Sequence, residues 1–307
     1  MPCYCPLQAW RGKDLTARGR RPMVFNPALA DDRDMPVQLP CGRCIGCRLE
    51  RSRKWAVRCM HESTLHDRNA FITLTFRPED LVRRQDPFSL SKRDFQLFIK
   101  RLRKAIAPRR VSYFGCGEYG EQFGRPHYHA CVFGYDFPDR ELWSVRGDVR
   151  LYRSAELEQL WPFGFATVGD VTFESAAYVA RYIMKKVTGL SSKEHYQVVD
   201  EDTGEVLSDR LPEFTLMSLK PAIGRGWIDR WIDDVYPSDQ VIVNGKAVKP
   251  PRYYDKVLEV SNPFELDVVL DERARKAREL GPISLERLSV LERSRKLKVG
   301  MLPRSVE

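Results

Sequence analysis

The sequence lacks a long hydrophobic stretch, a nucleoside-triphosphate loop, internal repeats and low-complexity segments. Without a run of about 18 apolar residues, no segment is expected to span a membrane as a helix. The opening residues, MPCYC, lack the basic and apolar regions of a secretory signal, so a cytosolic setting that keeps thiols reduced is expected. The pattern G-x-x-x-x-G-K-S/T is missing, which excludes a recognisable P-loop NTPase.

The charge is unevenly distributed along the chain. Of its 307 residues, 43% are hydrophobic and 30% are charged, which fits a globular protein of one large or two modest domains. The net charge is +9, and the first 60 residues hold twelve Lys and Arg against five Asp and Glu. Such a segment attracts polyanions, including nucleic acids, although a solvated surface would carry the same charges.

Three regions are predicted. Residues 1–66 are basic and Cys-rich, with a helix expected over 48–61. Residues 67–190 contain strands expected at 71–76, 111–116, 125–133 and 165–171, and helices at 91–106 and 174–187. Residues 191–307 are expected to form a hairpin around 196–207 and helices interrupted at Gly281-Pro282. Strands joined by hairpins predict an α+β fold with an antiparallel sheet of about five strands flanked by helices. Ser91 and Asp94 have the spacing of a capping box.

Two histidines, His127 and His129, flank one residue of a predicted strand. Alternate strand residues share a face, so both imidazoles can reach one metal ion, although strand histidines are more often structural. Glu118 lies nine residues before His127, and a hairpin would bring it beside the pair; Glu121 is the alternative carboxylate. Two His and one carboxylate would bind Mg²⁺ or Mn²⁺ and leave positions open for water and a phosphate oxygen.

Two tyrosines, Tyr178 and Tyr182, are four residues apart on a predicted helix and are therefore neighbours on its surface. Tyrosines at this spacing often pack in a core. Here Arg181 follows Tyr178 by one turn, and Lys185 and Lys186 follow Tyr182 by one turn. Cations at these positions would favour a phosphate and stabilise a phenolate. A metal beside two equivalent hydroxyls suits a phosphodiester that is cut by one tyrosine and rejoined through the other.

Three of the eight cysteines, Cys41, Cys44 and Cys47, are separated by two residues each, which is a metal-knuckle pattern. Tetrahedral zinc needs a fourth ligand, which Cys3 or Cys5 would supply. The alternative is that these are free thiols. The other three cysteines are expected in the core.

These motifs together resemble those of rolling-circle replication initiators, the HUH endonucleases, and in particular the two-tyrosine initiators of the Microviridae, small single-stranded DNA phages. The resemblance covers about residues 1–190, and the gokushovirus branch is closest in pattern. The motifs that carry it are PCGRCIGC at 40–47, FITLTF at 71–76, GEYGE at 117–121, RPHYH at 125–129 and Y-x-x-x-Y-x-x-K at 178–185. Many relatives have an aliphatic residue in place of Tyr128, whose side chain is expected to face away from the metal.

The resemblance implies a fold and a mechanism. Residues 67–190 would form an HUH-type catalytic core in which one tyrosine attacks the origin strand and leaves a 5′-phosphotyrosine and a free 3′-hydroxyl. The second tyrosine would then release the closed circle. Implied partners are single-stranded origin DNA and the host polymerase, helicase and single-strand binding protein, in the cytoplasm of a bacterial host, with no role at a membrane.

Two other functions are compatible with parts of the sequence. A histidine-triad nucleotide hydrolase would explain His127 and His129, but Cys131 stands where a third histidine is needed. A zinc-knuckle protein that coats single strands without cutting would explain the charge and the cysteines, and would leave the histidine and tyrosine pairs as packing residues.

Overall fold

The structure is a computed structural model, and it describes residues 3–16, 19, 21–120, 124–181, 187, 192–200, 202–281 and 283–301. It divides into two compact units. One unit holds the described residues of Met1–Arg51 and Lys276–Ser305, and the other holds those of Ser52–Arg275. Within the described ranges, no helix has both the length and the apolar character that a membrane crossing requires.

The elements follow in chain order. The strands are β1 (Leu7–Arg11), β2 (Met23–Val24), β3 (Val37–Leu39), β4 (Asn69–Phe76), β5 (Ser112–Tyr119), β6 (Pro126–Phe133), β7 (Glu141–Arg146), β8 (Val149–Arg153), β9 (Gly164–Gly169), β10 (Gln197–Val199), β11 (Val206–Asp209), β12 (Phe214–Met217), β13 (Val241–Val243) and β14 (Lys246–Val248). The helices are α1 (Ile45–Ser63), α2 (Pro78–Leu81), α3 (Lys92–Ala105), α4 (Ala155–Leu160), α5 (Phe173–Arg181), α6 (Ser192–Tyr196), α7 (Arg225–Val235), α8 (Arg252–Ser261), α9 (Pro263–Leu280) and α10 (Leu285–Gly300).

The first unit contains a small antiparallel sheet in the order β2-β1-β3. Helix α10 also belongs to this unit. The Ser284 side chain caps its start by accepting from the Arg287 N–H, and the Arg295 guanidinium lies 3.5 Å from the Tyr4 hydroxyl. The predicted break between the last two helices is confirmed, because α9 ends at Leu280 and α10 begins at Leu285.

The second unit is built on an antiparallel sheet of seven strands, in the order β12-β5-β6-β4-β9-β8-β7. Strand β4 lies at its centre and is buried almost throughout, with Ala70, Ile72, Leu74 and Phe76 on one face and Asn69, Phe71, Thr73 and Thr75 on the other. The predicted α+β class and the antiparallel sheet flanked by helices are thus confirmed.

The sheet has seven strands where the sequence analysis expected about five. The additional hairpin of β7 and β8 is rich in charged residues and largely exposed, so its alternation of polar and apolar residues is weak. Strand β12 pairs with β5 through residues that are far apart in the chain, Phe214 with Gly117 for example. Such a pairing has no local signature, because it depends on tertiary contacts.

Helices cover both faces of the sheet. Helices α3 and α4 pack on one face, where a cluster includes Ile72, Leu74, Phe95, Phe98, Leu102, Tyr128, Leu157 and Trp161. Helix α5 and the second half of α1 pack on the opposite face, here called the α5 face, where a second cluster includes Ala56, Cys59, Phe71, Phe114, Cys116, Cys131, Phe133, Tyr178 and Val179. Cys59, Cys116 and Cys131 are therefore core residues, as predicted.

The start of α3 is capped by a tyrosine of the sheet. Ser91 is the N-cap residue as expected, but its side chain makes no cap hydrogen bond, so the predicted capping box with Asp94 is wrong. The Ser91 N–H donates to the Tyr128 hydroxyl at 3.0 Å, and that hydroxyl lies 3.1 Å from Asp94 Oδ2. The Arg84 guanidinium also donates to Asp94 at 2.8 Å. The Asp94 carboxylate thus accepts hydrogen bonds from Tyr128 and Arg84. The side chain of Tyr128 points away from the α5 face, as expected.

A third cluster joins α7, α8 and α9 to α1. A buried histidine, His61, packs against it. The ring of His61 stacks on Trp227 with centroids 3.5 Å apart, and its Nδ1 lies 2.8 Å from the Tyr254 hydroxyl. Burial lowers the pKa of His61 to about 4. The folded protein therefore holds this imidazole neutral at pH values where an exposed histidine is charged.

We expect the free energy of unfolding to fall as the pH drops from about 6.5 to about 4. In the unfolded chain the histidine takes up a proton near pH 6.5, whereas folded His61 stays neutral until about pH 4, so acid favours the unfolded state. The full effect is on the order of 3 kcal/mol, since one pKa unit corresponds to about 1.4 kcal/mol. Urea unfolding at about pH 7.5 and about pH 5 should show about 2 kcal/mol of this effect, because pH 5 lies about 1.5 units below the pKa of the unfolded histidine. The variant His61→Phe should lose less stability between the two pH values, and an unchanged loss would contradict the assignment.

Candidate active site

The two histidines of β6 lie on the α5 face of the sheet. His127 is directly opposite Glu118 of β5 on one side and Thr75 of β4 on the other. Directly opposed residues of an antiparallel pair point to the same face, and so does a residue two positions along the strand. His127, His129 and Glu118 therefore share one face, as the spacing of the histidines and the expected hairpin predicted.

Both ring nitrogens of His129 have partners. Its Nε2 lies 2.7 Å from Glu118 Oε1, and its Nδ1 lies 3.0 Å from the Thr73 hydroxyl. When Glu118 is ionised it can only accept, so Nε2 donates to it, and in the neutral ring the Thr73 hydroxyl then donates to Nδ1. His129 and Glu118 are 1% and 3% exposed. Their geometry is thus fixed by a buried hydrogen-bonded pair.

His127 lies nearer to solvent and is oriented by the backbone. Its Nδ1 is 3.0 Å from the Pro126 carbonyl oxygen, which can only accept, so Nδ1 carries the proton and Nε2 is the nitrogen suited to a ligand. A Cβ at position 120 would lie 2.9 Å from this Nε2. A side chain at position 120 would therefore displace the imidazole from this position.

Tyr178 of α5 reaches the same group of side chains. Its hydroxyl lies 3.5 Å from Glu118 Oε1, and its ring packs edge-to-face on His129 at a centroid distance of 5.2 Å. Phe71 contacts the ring in a similar way at 6.3 Å. The Arg181 guanidinium lies 5.8 Å from the centre of the Tyr178 ring, as expected one turn further along the helix. Tyr178 is therefore buried, with 5% of its surface exposed, and its ring contacts His129.

Several predicted site residues lie outside the described residues: Tyr182, Lys185, Lys186 and Glu121. The sequence analysis also missed one residue, Thr73, whose hydroxyl contacts His129. The signal was present, because the alternation of residues 71–76 gives Thr73 the same orientation as Phe71 and Thr75.

Among the described residues, one group of side chains is close enough together to hold a metal ion. It consists of Cys3, Cys41, Cys44 and Cys47, whose sulfur atoms all lie within 4.8 Å of one another. The ligand atoms of His127, His129 and Glu118 do not all lie within this distance of one another, and the two imidazole centroids are 6.5 Å apart. The cysteine cluster lies in the first unit, and Cys3 rather than the exposed Cys5 completes it.

Backbone N–H groups surround the thiols of this cysteine cluster. The N–H groups of Tyr4, Cys41 and Cys44 donate to the sulfurs of Cys44, Cys3 and Cys41 at 3.2–3.3 Å. Burial raises the pKa of the Cys44 thiol, but hydrogen bonds from the backbone of Tyr4 and Cys47 and from the side chains of Cys41 and Cys47 together outweigh burial, and the pKa falls to about 6. At least one thiolate, the form that binds metals, is therefore available at neutral pH.

Comparisons with known proteins place the chain among phage replication proteins. Residues 69–187 match the family described as replication-associated protein ORF2/G2P. The chain is 33% identical over 233 residues to the replication-associated protein VP4 of Bdellovibrio phage phiMH2K, with 73% of this chain and 68% of that protein covered. It is 31% identical over 258 residues to the replication-associated protein ORF2 of Spiroplasma virus 4, with 78% and 74% covered. No solved structure matches the chain.

A similar likeness is found to the replication-associated protein ORF4 of Chlamydia phage 1, at 30% identity over 250 residues, with 78% of this chain and 58% of that protein covered. The antiparallel sheet and the order of motifs on it agree with the class of protein that the sequence resembles. The chain belongs to the replication-associated proteins of small single-stranded DNA phages of the Microviridae, and its role lies in rolling-circle replication.

Proposed function

We propose that the chain is a site-specific DNA endonuclease and ligase that starts and ends rolling-circle replication through a phosphotyrosine link. The observation that carries the proposal is the contact chain on the α5 face. It runs from the Tyr178 hydroxyl to Glu118 Oε1 at 3.5 Å and from Glu118 Oε1 to His129 Nε2 at 2.7 Å. A candidate nucleophile thus contacts two candidate metal ligands.

In the proposed reaction the Tyr178 oxygen attacks the phosphorus of the scissile phosphodiester. The bond from phosphorus to the 3′-oxygen breaks, and the tyrosine becomes esterified to the 5′-phosphate. The phenolic proton leaves to a nearby base, for which Glu118, 3.5 Å from the hydroxyl, is the candidate, and the departing 3′-oxygen takes up a proton to become a hydroxyl. The ester conserves the energy of the phosphodiester, so rejoining needs no ATP. Tyr182 is proposed as the second nucleophile and Lys185 as a cation that stabilises the phosphate.

The metal ligands proposed are His127, His129 and Glu118. A metal ion at His129 Nε2 would replace the proton that this nitrogen donates to Glu118, and Nδ1 would then carry the proton and donate to the Thr73 hydroxyl. Two imidazoles and one carboxylate suit a divalent cation that keeps open positions, and the Pro126 carbonyl already orients His127 in the tautomer that a ligand needs. Bound there, Mg²⁺ or Mn²⁺ would act as a Lewis acid on the scissile phosphate and orient it. The side chains themselves hold the site in place, since Thr73 fixes the ring of His129 and Glu118 is buried between β5 and α5.

The remaining regions are assigned by charge and chemistry. Residues 67–190 are proposed as the catalytic core, and residues 1–66 as a basic, zinc-bound region that contacts the DNA backbone. No role is proposed for residues 191–307. The substrate is single-stranded origin DNA, the free 3′-hydroxyl serves a host polymerase, and strand separation and protection come from a host helicase and single-strand binding protein.

We expect one structural zinc ion per chain, held by Cys3, Cys41, Cys44 and Cys47. Four sulfurs within 4.8 Å of one another match a tetrahedral thiolate site, and zinc binding contributes folding energy to small regions of this kind. Elemental analysis of protein purified without added metal should find about one zinc ion. The variant Cys44→Ser should lose it and should unfold its N-terminal region at a lower temperature.

The matched control is Cys5→Ser, because Cys5 is two residues from Cys3 but exposed and outside the cluster. This variant should keep its zinc. Zinc-free protein in which all the thiols titrate freely would contradict the assignment.

The proposed function is tested by incubating the protein with end-labelled single-stranded phage DNA and Mn²⁺ and separating the products by denaturing electrophoresis. We expect a band of DNA attached to protein that disappears on protease treatment. A non-catalytic binding protein would give no new band. A nucleotide hydrolase would give none either, but would hydrolyse mononucleotides.

A further inference from the structure

An exposed aromatic residue, Phe165 of β9, lies in the same row of the sheet as the histidines. Thr75 of β4 is directly opposite His127 on one side and directly opposite Phe165 on the other. Opposed residues share a face, so Phe165 points to the α5 face, as do His127 and Glu118. Neighbouring strands lie about 4.8 Å apart, which puts Phe165 about 10 Å from His127 along this row.

On β4 and β9, the exposure of the α5 face increases along the strands towards this row, whereas Glu118 of β5, at the other end of the row, is buried. Phe71 and Phe114, at one end, are 2% and 0% exposed, and Thr73 in the next row is 9% exposed. Phe165 is 58% exposed. The row of His127, Thr75 and Phe165 therefore carries a large aromatic ring that is open to solvent at its β9 end.

The backbone that carries Phe165 is held rigidly. A Cβ at the preceding Gly164 would lie 1.9 Å from the Thr75 carbonyl oxygen, so only glycine permits this approach of β9 to β4. The Arg77 N–H donates to the Phe163 carbonyl oxygen at 3.0 Å, and the Trp161 indole donates to the Thr75 carbonyl oxygen at 3.1 Å. The ring is thus presented from a fixed strand rather than from a loop.

We propose that Phe165 is a stacking platform for a nucleobase of the single DNA strand whose phosphate lies at His127. The inference rests on the proposed function and adds a base-binding subsite to it. A rigid aromatic ring loses little conformational entropy on binding, and the face of any base can stack on it. The distance along the row is within the reach of nucleotides that flank a phosphate held at the histidines. The net charge of +9 favours a polyanionic strand as the occupant over an apolar partner surface.

Binding of two fluorescent strands tests the proposal: a 20-mer of thymidylate and a 20-mer of abasic spacers with the same phosphates. Measurements are made without added Mg²⁺ or Mn²⁺, so that no cleavage occurs and the structural zinc is retained. For Phe165→Ala we expect about 5- to 100-fold weaker binding of the thymidylate strand, the usual contribution of one stacked base, and unchanged binding of the spacer strand. Phe165→Trp should again bind the thymidylate strand more tightly than the spacer strand. This result would show that the fold accepts a substitution at position 165.

The matched control is Phe264→Ala, because Phe264 is a 78% exposed phenylalanine on α9, away from the sheet. It should bind both strands as the unaltered protein does. The proposal is overturned if Phe165→Ala keeps its preference for bases, which would point to a protein-binding surface. It is also overturned if that variant loses affinity for both strands equally, or if Phe264→Ala has the same effect. Because binding is measured without metal, a failure of the covalent chemistry would count against the proposed function and leave this result standing.

Discussion

The double variant Tyr178→Phe, Tyr182→Phe is expected to form no covalent adduct with single-stranded origin DNA, while each single variant retains some cleavage. The reason is that both phenols are proposed to reach the same phosphate, so either can attack it, and phenylalanine offers no nucleophile. Each single variant should fail to release closed circles through repeated rounds, because rejoining needs a second hydroxyl while the first is esterified. Adduct yield and circle yield are measured on denaturing gels.

Tyr152→Phe is the matched control for these variants. Tyr152 is a partly buried tyrosine of strand β8, and it packs with the cluster under α3 and α4. It should form adduct and circles normally. Two results would count against the two-tyrosine account. An adduct in the double variant would mean that the nucleophile lies elsewhere, and a dispensable Tyr178 or Tyr182 would mean that one of the pair only packs.

His129→Ala should reduce the rate of nicking at least about a hundredfold, since it removes a proposed metal ligand and the partner of Glu118. Affinity for single-stranded DNA should change little, because contacts of Lys and Arg with phosphates dominate such binding. Glu118→Gln keeps the shape of the side chain and should show the same separation of nicking from binding. Single-turnover cleavage rates and equilibrium binding are measured on the same oligonucleotide.

The control for these variants is His195→Ala, which removes an exposed histidine of α6. It should nick at the normal rate. Full cleavage by His129→Ala in the presence of a chelator would contradict a metal site at these residues. If Glu121→Gln loses metal affinity and Glu118→Gln does not, the wrong carboxylate has been assigned.

The sheet and the arrangement of the histidines were predictable because local sequence rules determine them. Alternation in residues 71–76 and 126–133 fixes which side chains share a face, and a short hairpin fixes which residues of β5 and β6 are opposed. Counting along this hairpin placed Glu118 beside the histidines. Its closest partner is His129 rather than the directly opposed His127, since the long carboxylate side chain reaches along the strand.

Features that depend on distant parts of the chain were not predictable from the sequence. Tyr128 caps α3 from another element, so the local Ser91–Asp94 spacing was misleading. The sequence around Cys3 and Cys5 does not tell which of the two is the fourth ligand. The pairing of β1 with β3 in the fold brings Cys3 to Cys41, Cys44 and Cys47. Phe165 was predicted as a strand residue, but its position in the row of His127 depends on the register of three strands.

The central claim is that Tyr178 or Tyr182 becomes linked to the 5′-phosphate of the DNA, and mapping the attached residue tests it most directly. The protein is reacted with Mn²⁺ and a single-stranded oligonucleotide labelled on the 3′ side of the cut, then digested, and the labelled peptide is sequenced by mass spectrometry. The account predicts a nucleotide phosphate on Tyr178 or Tyr182. Cleavage that leaves only free 5′-phosphate, or label on a residue outside this pair, would contradict it.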